Sequence, residues 1–433
     1  MLYFRFRSRR SHLFRLFIFF IFAIGLDLLR VRYHLAVPLS GGRVEPPKDG
    51  SAVQSSGTPS SSTTRRERIF IASTHWNSED VLRSHWNEAV VALAKALGPE
   101  NVYVSIYESG SWDDTKGALR ELDAALGELN VRRTIVLSDV SHQDEISQPP
   151  APTGWIDTPR GRRELRRIPF LSRQRNASLQ PLVDLDRDHG EQFDRILFLN
   201  DVVFTTDDFF TLLDTNHGEY AAACALDFSK PPRFYDTFAL RDLEGHEPLM
   251  QTWPYFRSRD SRYFIERGEP APVASCWNGM VIMDATPFYD PIAPLRFRGI
   301  PDSLATAHLE GSECCLIHVD NPLSAKKGVW LNPNVRVGYD VKAYEAVHPQ
   351  QQQQQHAQQQ QQGGWLSTSQ VVWGLWENRL RRWFTTDALK TWIVRRRLRA
   401  WEGQDPSAQR EENGAFCLIN EMQVLAANGW AHV

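Results

Sequence analysis

The stretch RILFLNDVVF, residues 195–204, decides the fold prediction. Its first five residues are mostly apolar and predict a buried strand, and the polar pair Asn200 and Asp201 follows at the strand end. In open sheets of parallel strands, ligands bind beyond the carboxyl ends of the strands. The stretch therefore predicts a ligand site at this pair, although a turn capped by the Asp201 carboxylate would give a purely structural role.

Upstream of this stretch, short apolar runs alternate with amphipathic segments. Strands are predicted at Ile69–Ser73, Val102–Tyr107 and Thr134–Leu137, and helices at Val81–Leu97 and Trp112–Leu129. Repeated β-α units predict an α/β fold with a mostly parallel central sheet and helices on both faces. No G-x-G-x-x-G, Walker A or G-x-S-x-G sequence occurs, so dinucleotide-dependent oxidoreductases, P-loop NTPases and elbow-type hydrolases have no support.

The composition is that of a globular protein, with 42% hydrophobic and 23% charged residues in 433. The net charge of -3 gives no support for a nucleic-acid partner, and none is predicted. The five cysteines lack C-x-x-C spacing, which argues against a zinc site. One disulfide is left open, and Cys224 with Cys276 is the favoured pair.

The first 66 residues differ from the rest. An arginine-rich segment, residues 1–12, precedes an apolar run at 13–29 that contains one acid, Asp27. This pattern predicts a cytosolic tail, a transmembrane anchor and a type II topology. A cleaved signal peptide is the alternative, but no A-x-A-like site follows the run. Residues 30–66, rich in Pro, Ser and Thr, predict a flexible stem. Residues 67–348, which follow it, are predicted to form one domain that is long enough to be the catalytic domain of an enzyme.

Two later motifs carry polar residues suited to a ligand site. The run EGSECCLIHVD, residues 310–320, predicts a strand or strand end with His318 and Asp320 on one side, a plausible second half of a cation site. A buried, hydrogen-bonded histidine is the alternative. Lys327 offers positive charge for a phosphate, or lies in an exposed basic turn. Asp184, Asp186 and Asp188 have D-x-D spacing but lie in a polar segment, where they are expected to be solvated.

The C-terminal part begins with a glutamine-rich stretch. Residues 349–364 predict a disordered insert. Residues 365–433 predict a helical segment, rich in Trp and Arg, which packs on the preceding domain. Contact with a membrane surface is the alternative use of that basic, tryptophan-rich pattern.

Four motifs, RILFLNDVVF, SCWNGM, GSECCLIHVD and FCLINEMQVLAANGW, resemble in this order the fungal α-1,3-mannosyltransferase and capsule-associated protein family, glycosyltransferase family 69. The resemblance runs from about Arg68 to the C-terminus. It implies a GT-A type nucleotide-sugar-binding fold in a type II Golgi membrane enzyme. It also implies GDP-mannose as donor, a mannose-containing glycan as acceptor, a divalent metal such as Mn2+, and an α-1,3 transfer with retention of configuration.

Roles for individual residues follow from the motifs and the resemblance together. Asp201 and Glu313 are the expected catalytic residues, and the expected metal ligands are Asp201, His318 and Asp320. Nucleotide-sugar binding is expected from Arg173, Arg175, Asn200 and Lys327, and acceptor binding from Trp277 and Asn278. Because Asn200 replaces the first acid of a D-x-D motif, metal dependence stays open.

The reaction route and the class of function have alternatives. A front-face displacement is favoured over a covalent glycosyl-enzyme, because a phosphate oxygen of the leaving group can accept the acceptor's proton. The rival functions are a non-catalytic glycan-binding or scaffold member of the family, and a transferase that uses another nucleotide sugar.

Overall fold

The computed structural model describes residues 14, 15, 18, 20–29, 31, 67–349, 365–404 and 410–433. Its strands in chain order are β1 (Ile69–His75), β2 (Val102–Glu108), β3 (Arg132–Leu137), β4 (Trp155–Asp157), β5 (Arg163–Leu165), β6 (Arg195–Leu199), β7 (Ala222–Lys230), β8 (Arg233–Phe234), β9 (Arg241–Asp242), β10 (Ala271–Ser275), β11 (Met280–Asp284), β12 (Glu310–Gly311), β13 (Val329–Gly338), β14 (Leu418–Ile419), β15 (Gln423–Ala426) and β16 (Gly429–His432).

The core of the fold is a ten-stranded mixed sheet with the order β3-β2-β1-β6-β11-β7-β13-β10-β9, and β8 pairs with β7. The pairs β2–β3, β1–β2, β1–β6 and β7–β13 are parallel, whereas β10 and β11 run antiparallel to both of their neighbours. Only β8, β10 and β11 therefore oppose the common strand direction. The prediction of an α/β fold with a mostly parallel sheet is confirmed, and the predicted strand at Arg195–Leu199 lies near its centre.

The longer helices are α1 (Asn87–Leu97), α2 (Thr115–Glu128), α3 (His142–Ser147), α4 (Arg167–His189), α5 (Thr206–Leu213), α6 (Arg259–Ile265), α7 (Glu313–Asp320), α8 (Val341–Val347), α9 (Thr368–Phe384) and α10 (Ala388–Glu402). The second predicted helix begins three residues later than expected, at Thr115, because the Asp114 side chain caps it by accepting from the backbone N–H of Gly117.

Both faces of the sheet are buried, as sheets with parallel strands require. Alternate residues of β1 point to opposite sides, so that Phe70 belongs to one hydrophobic cluster and Ile71 to the other. In β6, Ile196 and Leu197 divide in the same way. This alternation fixes the register of β1 and β6, and with it the position of the residues that follow each strand.

Disulfide bonds connect distant parts of the chain. Cys224 on β7 is bonded to Cys276, the favoured pairing, and a second bond joins Cys315 of α7 to Cys417. Cys314 is the free cysteine and is buried. The second bond, which was not predicted, ties the C-terminal segment to the sheet domain, together with the antiparallel pair β12–β14. That segment contains α9 and α10, but also β14, β15 and β16, so it is not purely helical.

The predicted anchor at residues 13–29 is only partly described. Its described residues are helical, and the Asp27 carboxylate pairs with the guanidinium of Arg379 on α9. Among the described residues, no helix has both the length and the apolarity needed to cross a membrane. The predicted tail at 1–12, residues 32–66 of the stem and residues 350–364 of the glutamine-rich stretch lie outside the described residues.

Candidate functional site

The chain order of the sheet reverses between β1 and β6. From β1 the chain continues outward to β2 and β3, and it then returns to the other side of β1 to form β6. In open α/β sheets such a reversal leaves a crevice at the carboxyl ends of the two strands, where ligands bind. The residues that follow His75 of β1 and Leu199 of β6 meet at this crevice.

Asn200 is held at the crevice by hydrogen bonds on three sides. Its backbone N–H donates to the carbonyl of Gly279 at 2.9 Å, and its carbonyl accepts from the indole N–H of Trp86 at 2.9 Å. Its side-chain oxygen accepts from the indole N–H of Trp277 at 3.2 Å. Trp86 ends a π-helical turn, Leu82–Trp86, and such turns are frequent at functional sites. Asn200 is therefore held in one orientation by both tryptophans.

Asp201 has few partners for a desolvated carboxylate. Its Oδ2 atom accepts from the hydroxyl of Ser78 at 3.1 Å, which joins the ends of β1 and β6. Burial raises the pKa of Asp201 from 3.8 to about 6, and the Ser78 hydroxyl offsets this only in part. No lysine, arginine or histidine within the described part of the chain forms an ion pair with it. A cation at this position would lower the pKa and stabilise the charge.

The other two predicted metal ligands lie elsewhere. His318 is on the helix α7, not on a strand, and its Nε2 donates to the Cys276 carbonyl at 2.7 Å. Burial lowers its pKa to about 4, so the imidazole is neutral. Asp320 is paired with the guanidinium of Arg298. His318 therefore matches the alternative prediction of a buried, hydrogen-bonded histidine.

The described ranges contain one group of three potential ligands whose atoms lie within 4.8 Å, and it consists of His318 and two cysteines. Those cysteines, Cys224 and Cys276, form a disulfide and offer no thiolate to a metal. Asp201, His318 and Asp320 do not form such a group. The apolar run CCLIHV was predicted as a strand or strand end but forms part of a helix. So short an apolar run has no periodicity that distinguishes a strand from a buried helix.

Glu313 begins α7 and is linked to the crevice through Arg175. The guanidinium of Arg175 donates to the Glu313 carboxylate at 3.0 Å, and it also lies 4.4 Å from the centre of the Trp277 ring. Glu313 is almost fully buried, at 3% exposure. The chain of contacts Glu313–Arg175–Trp277–Asn200 therefore joins two helices to the end of β6, and it brings together four of the predicted site residues.

These residues line a cavity of about 880 Å³ that opens beside the ends of the strands. The four residues of the contact series Glu313–Arg175–Trp277–Asn200 all line it, together with the arginines Arg167, Arg233 and Arg381. Part of its wall comes from the C-terminal hairpin β15–β16, where Trp430 lies against the guanidinium of Arg167 at 4.2 Å from the ring centre. A cavity of this size with arginines and aromatic rings suits an anionic ligand that also carries flat or apolar faces.

Two acids that the sequence did not reveal lie at this cavity or directly behind it. Asp236 lines it and accepts from the backbone N–H groups of Phe238 at 2.9 Å and Ala239 at 3.2 Å. Asp227 lies behind Asp236, fully buried, and burial with the neighbouring Asp236 charge raises its pKa to about 6. Asp236 follows β8 in a loop without a recognisable motif, so only the folded chain brings it to the site.

Asp201, His318 and Asp320 are not among the residues that line this cavity, and three other predicted site residues are not either. Asn278 is fully buried, and its amide donates to Asp227 at 2.8 Å, so it supports an acid instead of facing an acceptor. Arg173 is exposed and pairs with Glu145 at 3.1 Å. Lys327 pairs with Asp284 at 2.8 Å. Asp284 pairs with Arg195, the first residue of β6, whereas Asp201 follows the last residue of that strand. Lys327 therefore lies at the opposite end of the strands from Asp201.

Comparison with known proteins agrees with the motifs. The model of a family described as Cryptococcal mannosyltransferase 1 matches residues 68–320, which include β6, the π-helical turn and α7. The chain belongs to this family. This confirms the family resemblance predicted from the four motifs, and the Cryptococcal mannosyltransferase 1 family is a family of glycosyltransferases. All the residues of the Glu313–Arg175–Trp277–Asn200 chain lie inside the matched range.

The individual proteins that are similar to this chain have low sequence identity to it. It is 25% identical over 271 residues to the Alpha-1,3-mannosyltransferase CMT1 of Cryptococcus neoformans, and the match covers 58% of this chain and 53% of that protein. The chain therefore spans about half the length of that relative. Among solved structures, the mannosyltransferase PcManGT of Pyrobaculum calidifontis, in complex with GDP-Man and Mn2+, has a TM-score of 0.36 at 11% identity, over 81% of this chain and 78% of that chain. S. aureus TarS has a TM-score of 0.37 at 11% identity, over 79% and 50%.

Proposed function

We propose that this protein transfers mannose from GDP-mannose to a mannose-containing glycan acceptor and forms an α-1,3 linkage with retention of configuration. Family membership and the name of its Cryptococcus relative support the class of reaction and the linkage. The observation that carries the proposal is the Asp201 carboxylate at the sheet reversal, desolvated and without an ion pair to any described residue, next in sequence to Asn200, which lines a cavity together with several arginines. We propose a fold of the GT-A type for the same reasons.

The donor's diphosphate would bind between Asp201 and the cavity arginines. Arg175, Arg167 and Arg233 supply fixed positive charge and planar donors, which suit phosphate oxygens. Asp201 fits a Mn2+ ion of the kind that takes one or two carboxylates and completes its shell with substrate phosphate oxygens and water. When bound, such an ion would neutralise charge on the departing diphosphate. The lack of a second acid at Asn200 is compatible with that shared coordination.

In the proposed transfer the bond between the anomeric carbon of mannose and the diphosphate oxygen breaks, and the acceptor hydroxyl oxygen bonds to the same carbon on the same face. The hydroxyl proton passes to the leaving diphosphate. Positive charge that develops on the sugar needs a nearby carboxylate. Glu313 is balanced by Arg175, whereas Asp236 makes no ion pair with any described residue. We therefore assign acceptor orientation to Glu313 and charge stabilisation to Asp236.

The test is sugar transfer by the full-length protein from a panel of nucleotide sugars to α-mannobiose, with and without Mn2+. Asp201→Asn is the site variant. Asp186→Asn, in the D-x-D spacing on the surface of α4, is the matched control. Transfer of mannose from GDP-mannose that requires Mn2+ and Asp201, but not Asp186, supports the proposal. Transfer of another sugar, or an active Asp201→Asn variant, would contradict the donor or the metal site respectively.

A non-catalytic glycan-binding or scaffold function is the second candidate, and Asn200 in place of an acid is the observation that favours it. The two are separated by calorimetric titration with GDP in the presence and absence of Mn2+. A transferase should bind GDP, and Mn2+ should increase its affinity for GDP. A scaffold should bind neither GDP nor Mn2+.

We also propose that residues 13–29 anchor the protein in the Golgi membrane with the catalytic part in the lumen. The arginine-rich flank before an apolar run supports this orientation. Protease treatment of intact microsomes should leave residues 67–433 protected while an epitope at the N-terminus is removed. Digestion of the catalytic part in the absence of detergent would contradict the proposed orientation.

A further inference from the structure

A second cavity, of about 1040 Å³, adjoins the one at the ends of the strands. Arg241, Glu247, Ile419 and Glu421 line both cavities and form the boundary between them. The second cavity then extends along α10, on the side away from Asn200. A molecule larger than the contents of the first cavity would therefore continue into the second.

The α10 wall of the second cavity carries one large exposed ring among charged side chains. Trp392 is 55% exposed, and the guanidinium of Arg396 lies 5.3 Å from its ring centre. Arg395 and Arg399 also line the cavity, and neither forms an ion pair with any residue that the structure describes. Trp392 thus offers a flat apolar face, and the arginines beside it offer free hydrogen-bond donors.

Carboxylates on both walls supply acceptors, since Asp387 is the N-cap residue of α10 and Glu247 lies opposite that helix. Glu247 pairs with Lys390 at 3.2 Å across the cavity, and the Asp387 carboxylate lies 3.7 Å from the imidazole of His246. These carboxylates are at least one-third exposed, so their remaining lone pairs are open to a ligand. The cavity therefore combines donors, acceptors and the exposed aromatic face of Trp392, which is the set that pyranose rings with hydroxyl groups and an apolar C–H face require.

The lining is unlike that of a protein-docking surface. The cores of protein interfaces are depleted in Lys, Glu and Asp, whereas these residues line this cavity on both sides. Among its other larger apolar side chains, Val394 and Leu418 are buried in the fold, and Phe416 and Ile419 are partly buried. The concave shape and the mixture of polar groups around the exposed ring of Trp392 are typical of a small-molecule or glycan site.

Resting on the proposed function, we infer that the second cavity binds the sugar units of the acceptor beyond the one that is modified. The acceptor is then an oligosaccharide or polysaccharide longer than a disaccharide, and Trp392 stacks against one of its rings. Because Trp392 does not line the first cavity, it contributes to acceptor affinity and leaves the chemical step unchanged, so it determines acceptor length and is not a catalytic residue.

The test compares kcat and KM for a series of α-linked manno-oligosaccharides, from mannobiose to mannohexaose, with GDP-mannose in excess. The variants are Trp392→Ala, Trp392→Phe and the matched control Trp373→Ala. Trp373 is 70% exposed on α9 and lines neither cavity. Wild type should show a KM about tenfold lower for mannohexaose than for mannobiose, a stacking-sized effect. Trp392→Ala should remove that difference with kcat on mannobiose unchanged, and Trp392→Phe should retain part of it.

Direct binding of mannohexaose, measured by calorimetry, separates this inference from the proposed function. Binding that is lost in Trp392→Ala and kept in Trp373→Ala supports the second cavity even if no donor gives transfer, a result that would contradict only the proposed reaction. Transfer to mannobiose and mannohexaose with equal KM, or binding that is indifferent to Trp392, would overturn the inference and leave the reaction intact.

Discussion

Replacing Asp201 with Asn should stabilise the protein while it removes the proposed metal and diphosphate contact. Burial raises the pKa of the Asp201 carboxyl from 3.8 to about 6. The folded state then prefers the protonated acid, so the cost of ionisation is absent below the unfolded value, grows as the pH rises, and is complete above about 6. A shift of roughly two units corresponds to about 3 kcal/mol at pH 7.5, and to about half of that at pH 5.

The assay is urea unfolding of wild type, Asp201→Asn and the control Asp186→Asn, at pH 7.5 and at pH 5 in the presence of a chelator. We expect the free energy of unfolding of Asp201→Asn to exceed that of wild type by about 3 kcal/mol at the higher pH and by about half as much at the lower pH. Asp186→Asn should differ from wild type by less than about 0.5 kcal/mol. Equal stabilities of Asp201→Asn and wild type, or a gain that ignores pH, would show that the carboxylate is not desolvated.

Three further predictions test other parts of the site. Arg175→Met should lower the free energy of unfolding by about 3 to 5 kcal/mol, because it leaves the Glu313 carboxylate buried and unpaired, and adding Glu313→Gln should restore at least half of the loss in urea titrations. Lys327→Ala should leave the KM for GDP-mannose within about twofold of wild type in initial-rate assays, because Lys327 lies at the opposite end of the strands from Asp201, and a tenfold increase would contradict that position. Asn278→Ala should raise the pKa of Asp227 further above about 6 by removing its donor, so the variant's loss of stability should grow between pH 5 and pH 8, and a loss that is constant with pH would refute this.

The sequence was most informative where one local pattern determines the structure. The apolar runs of β1, β2 and β6 predicted these strands, the helical segments between the runs predicted a mostly parallel sheet, and the position of Asn200 and Asp201 followed from the strand end. The pairing of Cys224 with Cys276 was also predicted, and the bond joins β7 to the motif SCWNGM.

The composition of the cavity depends on contacts between residues distant in sequence, which no local pattern encodes. Asp236 arrives from a loop after β8, and Arg167 reaches Gln423 at 2.6 Å across 256 positions. His318 and Lys327 were assigned to the site from their chemistry, their motifs and the family resemblance, without knowledge of their partners. The fold instead turns His318 toward a backbone carbonyl and pairs Lys327 with Asp284. A charged or titratable residue near a motif is therefore weak evidence of a site until its partners are known.

The bond between Cys315 and Cys417 has a practical consequence for preparing the protein. It attaches the cavity wall formed by the C-terminal hairpin to α7, which begins at Glu313. A reducing bacterial cytosol keeps thiols unpaired, so a chain made there would hold this wall by noncovalent contacts alone. A host that oxidises cysteines is the better choice. A correctly oxidised preparation should contain one reactive thiol per unfolded chain, that of Cys314. Three or more reactive thiols per chain show that a disulfide is missing. An inactive result from such a preparation is then explained by the missing disulfide and not by the choice of substrate.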